Sequence, residues 1–165
     1  LAGDTRTRDF LARNPNGKIP LLELDDGRYL SESNAILNYL ATDTAFLPKD
    51  RFLQAQVLQW QFFEQYSHEP YIAVARFIAK YLGLPDERRD EYHAKQSGGH
   101  KALAVMESRL SVHPYLVGSH LTVADISLYG YTHVAPEGGF ELSGYPAIQA
   151  WLRRIEAEPG YVGME

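Results

Sequence analysis

The sequence predicts a two-part α+β fold in which a short α/β segment precedes an all-helical domain. Two observations carry this. Residues 14–31 alternate turn dipeptides with short apolar runs, and from about Asp50 apolar and aromatic residues recur at intervals of three and four. The chain divides into an α/β part over 1–42, a linker over 43–49 marked by Asp43, Thr44 and Pro48, and a helical part over 50–165.

Leu1-Ala2-Gly3-Asp4 reads as the end of a strand running into a loop, and Arg6 to Ala12 as a short helical or turn segment. Asn14-Pro15 and Asn16-Gly17 are turn dipeptides that keep the chain irregular up to Ile19. Pro20 stands at the entrance of the apolar run Leu21 to Leu24, which reads as a strand. A proline there holds Ile19 extended and leaves the Ile19 N–H and C=O for something outside the sheet. Asp25-Asp26-Gly27-Arg28 is a tight turn, and Tyr29-Leu30 opens the second strand of a hairpin. Ala35, Ile36, Leu37, Tyr39 and Leu40 then take helical spacing, so a helix begins at about Ser31 to Ser33.

Phe63, Tyr66, Pro70, Val74, Phe77 and Tyr81 follow helical spacing along one face of a long helix over about Asp50 to Leu82. Pro70 predicts a kink or break in it. Gly83-Leu84-Pro85 ends that helix, and a second runs from Asp86 to about His113, with Gly98-Gly99 marking a break or a close helix contact. Thr122 to about Ala135 is a third, opened by Leu121-Thr122-Val123-Ala124-Asp125-Ile126. Thr122 and Asp125 stand there at capping-box positions, and Leu121 and Ile126 at those of the hydrophobic staple. Tyr145-Pro146 opens the last helix.

The helix start at Glu32-Ser33 is the chemically suggestive point. Helix-start N–H groups and the Ser33 hydroxyl suit a ligand carboxylate, while Glu32 suits an ammonium group. The plain alternative is that Ser31 caps the helix and Glu32 complements its dipole.

The turn, the extended residue before proline, the hairpin and the Glu-Ser helix start, with the capped helix some ninety residues on, together resemble the soluble glutathione transferases of cytosolic, bacterial-like type. The resemblance spans the chain. It implies a thioredoxin-like domain that lacks its first strand-helix-strand part, followed by the family's helical domain. A unit of roughly 30 or more residues would then precede Leu1, and the Ser, Tyr or Cys that activates the thiol would lie in it, so no catalytic residue is assigned. Carried over, the family's glutathione site implies a cis Pro20, backbone contacts from Ile19 to the cysteinyl part and γ-glutamyl contacts from Glu32 and Ser33. Lys18 would meet the glycine carboxylate. Thr122 and Asp125 would be a structural capping box. Part of the aromatic cluster Trp60, Phe62, Phe63, Tyr66, Tyr71 and Phe77 would face a pocket for a small apolar electrophile, with Tyr66 and Tyr71 as its candidates.

The reaction implied is conjugation of glutathione thiolate, as co-substrate, to an electrophilic carbon in a detoxifying cytoplasmic homodimer. Isomerase, dehalogenase and disulfide-reductase chemistry occur on the same fold. A non-catalytic interaction module is the other class.

Composition narrows the field. The 165 residues are 45% hydrophobic with a net charge of -5, which suits a soluble domain with a substantial core. There is no basic run, so nucleic acid and anionic membrane are poor partners, and no segment is apolar for long enough to cross a bilayer. Cysteine is absent, which rules out disulfides and a thiol nucleophile within these residues. The six histidines show no metal-ligand spacing, so no metal is expected, and His68 beside Glu69 reads as a helix-surface residue in preference to a general base. No Gly-Xaa-Ser-Xaa-Gly elbow or phosphate loop occurs, and Gly138-Gly139 reads as a turn or a helix contact.

Overall fold

The computed structural model describes residues 3–163, and the strand end expected at Leu1–Ala2 lies outside them. A single-turn 3-10 helix, Asp4–Arg6, leads into α1 (Arg8–Arg13), capped by the Thr7 hydroxyl, which accepts from the Phe10 N–H at 3.3 Å. Strands β1 (Leu21–Glu23) and β2 (Tyr29–Ser31) pair antiparallel with Leu22 opposite Leu30. The turn between them places Gly27 at φ 81°, in the left-handed region where glycine is unstrained. Helix α2 (Ser33–Ala41) follows directly.

The rest is helical. Helix α3 (Arg51–Phe63) starts at Asp50, whose Oδ1 accepts from the N–H groups of Phe52 and Leu53 at 3.0 and 2.9 Å. A π-helical turn, Glu64–His68, separates it from α4 (Glu69–Arg76), and a second π turn, Phe77–Tyr81, follows. The break thus falls just before Pro70, whose missing N–H sits in the first turn of α4. Helices α5 (Arg89–Leu110), α6 (Val123–Thr132) and α7 (Pro146–Glu156) complete the bundle. Among the described residues no helix is long and apolar enough to cross a membrane.

The face of α3 and α4 that enters the core is not the aromatic line of the sequence reading. The buried stripe is Val57, Gln61, Glu64, His68, Ile72, Ala75 and Ile78, still spaced by three and four. Three of these are polar, which hides the stripe from a search for apolar periodicity. The aromatic line turns outward: Tyr66 is 85% exposed.

His68 is the clearest correction. It is fully buried, and its Nε2 lies 2.9 Å from Thr132 Oγ1. The Thr132 hydroxyl donates to the Leu128 carbonyl at 2.6 Å, so it accepts from His68, which fixes the Nε2–H tautomer. Burial pushes the imidazole down to about 4.

The core centres on α4, α5 and α7, with Trp151, Phe140, Leu103, Met106, Leu128 and Ile148 fully buried. Gly98 and Gly99 lie within continuous α5 and serve contact rather than a break. A Cβ on Gly99 would fall 2.2 Å from the Phe140 ring, and one on Gly98 equally close to the Tyr71 ring. Tyr71 is thereby committed to packing on α5, with Lys95 Nζ 5.6 Å from its ring centre.

Thr122 and Asp125 form the capping box of α6, and Asp125 does more than cap. Its Oδ2 accepts from the Thr122 N–H at 3.0 Å and the Thr122 hydroxyl at 2.9 Å. Its Oδ1 accepts from the Leu116 N–H at 2.8 Å and the Trp151 indole at 2.9 Å. Burial pushes this carboxyl above the usual range while the four donors oppose the shift. Glu107 caps at long range in the same manner: its carboxylate accepts from the N–H groups of Ala147 and Ile148 at the start of α7, each at 2.9 Å.

Two stability predictions follow from these buried groups. Asp125→Ala leaves three fixed donors unsatisfied at about 1–3 kcal/mol each, so its cost in denaturant unfolding should reach about 3 kcal/mol, against about 1 for an isolated cap. A loss of 1 kcal/mol or less would reduce Asp125 to a local cap. His68 titrates near 6.5 when unfolded and near 4 when folded, so the unfolded chain takes up the proton first as pH falls. Its share of stability is intact above the unfolded value and is lost between about pH 6.5 and 4, at up to about 1.4 kcal/mol per pH unit. Unfolding curves across that window should show this slope for the native chain and lack it for His68→Phe; equal slopes would contradict the assignment.

Candidate functional site

The site begins at Asn14, which is buried at the end of α1. Its Oδ1 accepts from the Asn16 N–H at 3.2 Å, its Nδ2 donates to the Lys18 carbonyl at 2.7 Å, and its own carbonyl accepts from the Gly17 N–H at 2.9 Å. One side chain therefore closes the whole loop. Gly17 sits at φ 64°, and a Cβ on it would meet the Arg6 guanidinium at 2.5 Å, so both conformation and space call for glycine.

Beyond the loop the Ile19–Pro20 peptide is cis. Ile19 is 75% exposed, and its backbone forms no hydrogen bond within the described residues. Adjacent to it, Glu32 occupies the N-cap position of α2 at φ 71° and ψ 115°, unusual for a residue with a Cβ, and makes no capping contact. Its carboxylate instead lies 3.5 Å from Asn16 Nδ2. Ser31 belongs to β2, so neither Ser31 nor Glu32 serves as an ordinary side-chain cap, and Ser33 is the first residue of the helix.

Asn34, one residue on, ties this start to the helical domain. Its Nδ2 donates to Glu64 Oε2 at 3.2 Å, and its Oδ1 accepts from the Ser127 hydroxyl of α6. Asn38 repeats the link one turn later, donating to Gln61 Oε1 at 2.6 Å. Sequence reasoning passed over both, as it passed over Asn14. The available signal was amide side chains on the inner face of a short helix and at a turn.

These elements enclose a cleft of about 680 Å³, within the usual range for small-molecule sites. Lys18, Ile19, Pro20, Glu32 and Ser33 line it, together with Glu64 and Glu69 and with Arg76, Lys80, Tyr81, Tyr131 and Glu137. Burial pushes the carboxyls of Glu64 and Glu69 upward; Lys18 opposes this at Glu69, and hydrogen bonds from Gln65 and Asn34 oppose it at Glu64. Lys80 and Arg76, which both donate to Glu137, hold its carboxyl below its usual value.

All five glutathione-site candidates line this cleft, and the two pocket candidates do not. Tyr66 projects to solvent and Tyr71 packs on Gly98, so neither lines the cleft. Tyr81 and Tyr131 do. The π turns help to explain the difference, since each changes the helical phase locally and a strict count of three and four across 64–68 and 77–81 misplaces the faces. Thr122 and Asp125 lie away from the cleft, in the core.

A loop ending in a cis proline, an exposed residue with an unbonded backbone and a carboxylate beside a helix start, set against a helical bundle, define a class of two-part protein with a cleft lined by both parts. The sequence agrees with that class. Residues 59–159 match the family model for the glutathione S-transferase C-terminal domain and residues 1–43 that for the N-terminal domain, so the chain belongs to the glutathione S-transferase family. The crystal structure of a glutathione S-transferase from Pseudomonas fluorescens Pf-5 superposes with a TM-score of 0.97 at 65% identity, over 99% of this chain and 81% of that one. A glutathione S-transferase-like protein of Fusarium is 32% identical over 94% of this chain and 74% of its own length. Elongation factor 1-gamma of Artemia salina is 33% identical over 82% of this chain, but over only 32% of its own length.

Proposed function

We propose that the chain binds glutathione in this cleft and conjugates it to an electrophilic small molecule. The observation that carries the reading is Glu32, held at a positive φ with its carboxylate released from capping duty, beside Ser33 and the unbonded backbone of Ile19. A strained conformation at a cleft wall suits a ligand role. Glutathione fits the chemistry: an ammonium and a carboxylate at the γ-glutamyl end for Glu32, Ser33 and the α2 start, an extended middle for Ile19, and a glycine carboxylate for Lys18. In the reaction the thiol proton is lost, the sulfur forms a bond to the electrophilic carbon, and the leaving group departs with its electron pair, or an activated double bond accepts the sulfur and a proton. Holding both reactants in one cleft supplies orientation, and the thiolate is the reacting form. Among the described residues no side chain is assigned to activating the thiol. The reading requires a reducing compartment such as the cytoplasm.

The second reading is an interaction module without turnover, which the match to elongation factor 1-gamma favours. Calorimetric titration with glutathione separates them. Removing a hydrogen bond to a charged group costs about 1.5–3 kcal/mol, so Ser33→Ala and Glu32→Gln should each weaken binding on the order of tenfold or more. Glu32→Gly relieves the positive φ and should hold or raise thermal stability while losing affinity, which a mere helix cap would not do. No binding by the native chain, or unchanged affinity in all three variants, would return the module reading to the front.

A homodimer belongs to the same proposal. Leu58, Phe62 and Tyr66 recur every four residues along the outer face of α3 and its π turn, all exposed, and Leu58 and Phe62 flank an apolar recess of about 390 Å³ beside Ala35. A dimer by light scattering that Phe62→Glu converts to monomer is the expected result; a monomer from the native protein overturns it.

A further inference from the structure

We propose that Arg76 and Lys80 read an anionic group, a carboxylate or its equivalent, on the electrophile that this cleft takes beside glutathione; the inference rests on the glutathione reading above. The sequence led to the expectation of an apolar electrophile, yet the cleft that Ile19 and Glu32 line also carries both of these cations. They share one carboxylate. Arg76 Nε donates to Glu137 Oε2 at 2.5 Å and Lys80 Nζ donates to Glu137 Oε1, so the three side chains together hold one positive charge in excess.

A tether between α4 and the 3-10 turn Ala135–Gly138 needs only one of these pairs. The second cation is surplus to that purpose, and it also faces the cleft. Glu137 engages the guanidinium through Nε alone, while the Tyr81 ring lies 5.2 Å from its carbon. The fork of an arginine has donors enough for a second, bidentate acceptor. The Arg76 side chain is 17% exposed, so an anion meeting it is partly withdrawn from water, where charge-assisted contacts count for more than on an open surface.

The arrangement is also fixed in place. Gly138 sits so close to α4 that a Cβ on it would lie 2.9 Å from the Arg76 backbone nitrogen. Gly139 takes φ 88°, where a Cβ would fall 2.1 Å from the Tyr92 hydroxyl. Gln96 Nε2 donates to the Gly138 carbonyl at 3.2 Å. Glu137 is therefore presented to both cations by backbone packing, and the pair is pre-organised before any ligand arrives.

The test uses two conjugates as probes, S-(para-carboxybenzyl)glutathione and its methyl ester, titrated by calorimetry into the full-length protein alongside glutathione itself. The acid should bind about tenfold or more tighter than the ester. Arg76→Met and Lys80→Met should each draw that ratio toward one and leave glutathione affinity unchanged. Glu137→Gln should widen it, because it frees both cations, whereas a purely structural triad would weaken both probes alike. Lys80 is partly exposed, so Lys80→Met and Glu137→Gln keep the test open if Arg76→Met fails to fold. A ratio of one or less in the native protein, a ratio unchanged by removing the cations, or a narrower ratio in Glu137→Gln overturns the proposal while glutathione binding stands. Loss of glutathione binding by the native protein overturns both readings.

Discussion

The amide of Asn34 holds the molecule's two parts in their working relation. It stands one residue past the start of α2, donates to Glu64 on the π turn after α3, and accepts from Ser127 on α6. A side chain that both donates and accepts can bind two elements in fixed orientation, which an apolar contact of the same area cannot. The start of α2 carries Glu32 and Ser33, so the wall of the cleft is aligned to the helical domain by the residue next to its own candidate ligand groups. Asn38 and Gln61 reinforce the same junction.

Polar groups do comparable work deeper in the bundle. Asp125 collects four donors, one from Leu116 in the loop before α6, two from Thr122 at the α6 N-cap and one from Trp151 of α7, and Glu107 of α5 supplies the cap that α7 lacks. A buried carboxylate is costly alone and stabilising when each lone pair is directed at a fixed donor. These carboxylates orient helices that apolar packing would bring together with less angular precision. His68 is a different case: its ring fills core volume between Thr132 and its neighbours as a neutral group, and the cost appears only when pH falls far enough to charge the unfolded chain.

The cleft inherits its character from these constraints. Its lining includes unpaired backbone, a strained carboxylate and a helix start, and also paired cations seated where Gly138 lets backbone meet backbone. Glu64 and Glu69, whose carboxyls burial lifts, line it as well.

Much of this was legible in the sequence because it depends on local rules. Turn dipeptides, a proline before an apolar run and the Thr122–Asp125 spacing express backbone constraints that act within a few residues, so the hairpin and the helix order could be written down in advance, while the candidates Lys18 to Pro20 with Glu32 and Ser33 came from the family resemblance. What only the tertiary structure decided depends on groups distant in the chain. The inward face of α3 and α4 carries Gln61, Glu64 and His68, polar residues whose partners lie on other elements, so apolar periodicity pointed to the outer face. Tyr66 and Tyr71 gave way to Tyr81 and Tyr131 for the same reason, helped by two π turns that shift the phase of the helix. Glu137 lies 61 residues from Arg76 and 57 from Lys80, and the close approach of Gly138 to α4 makes it their neighbour: periodicity reports what a helix does alone, whereas a cleft is made where helices meet.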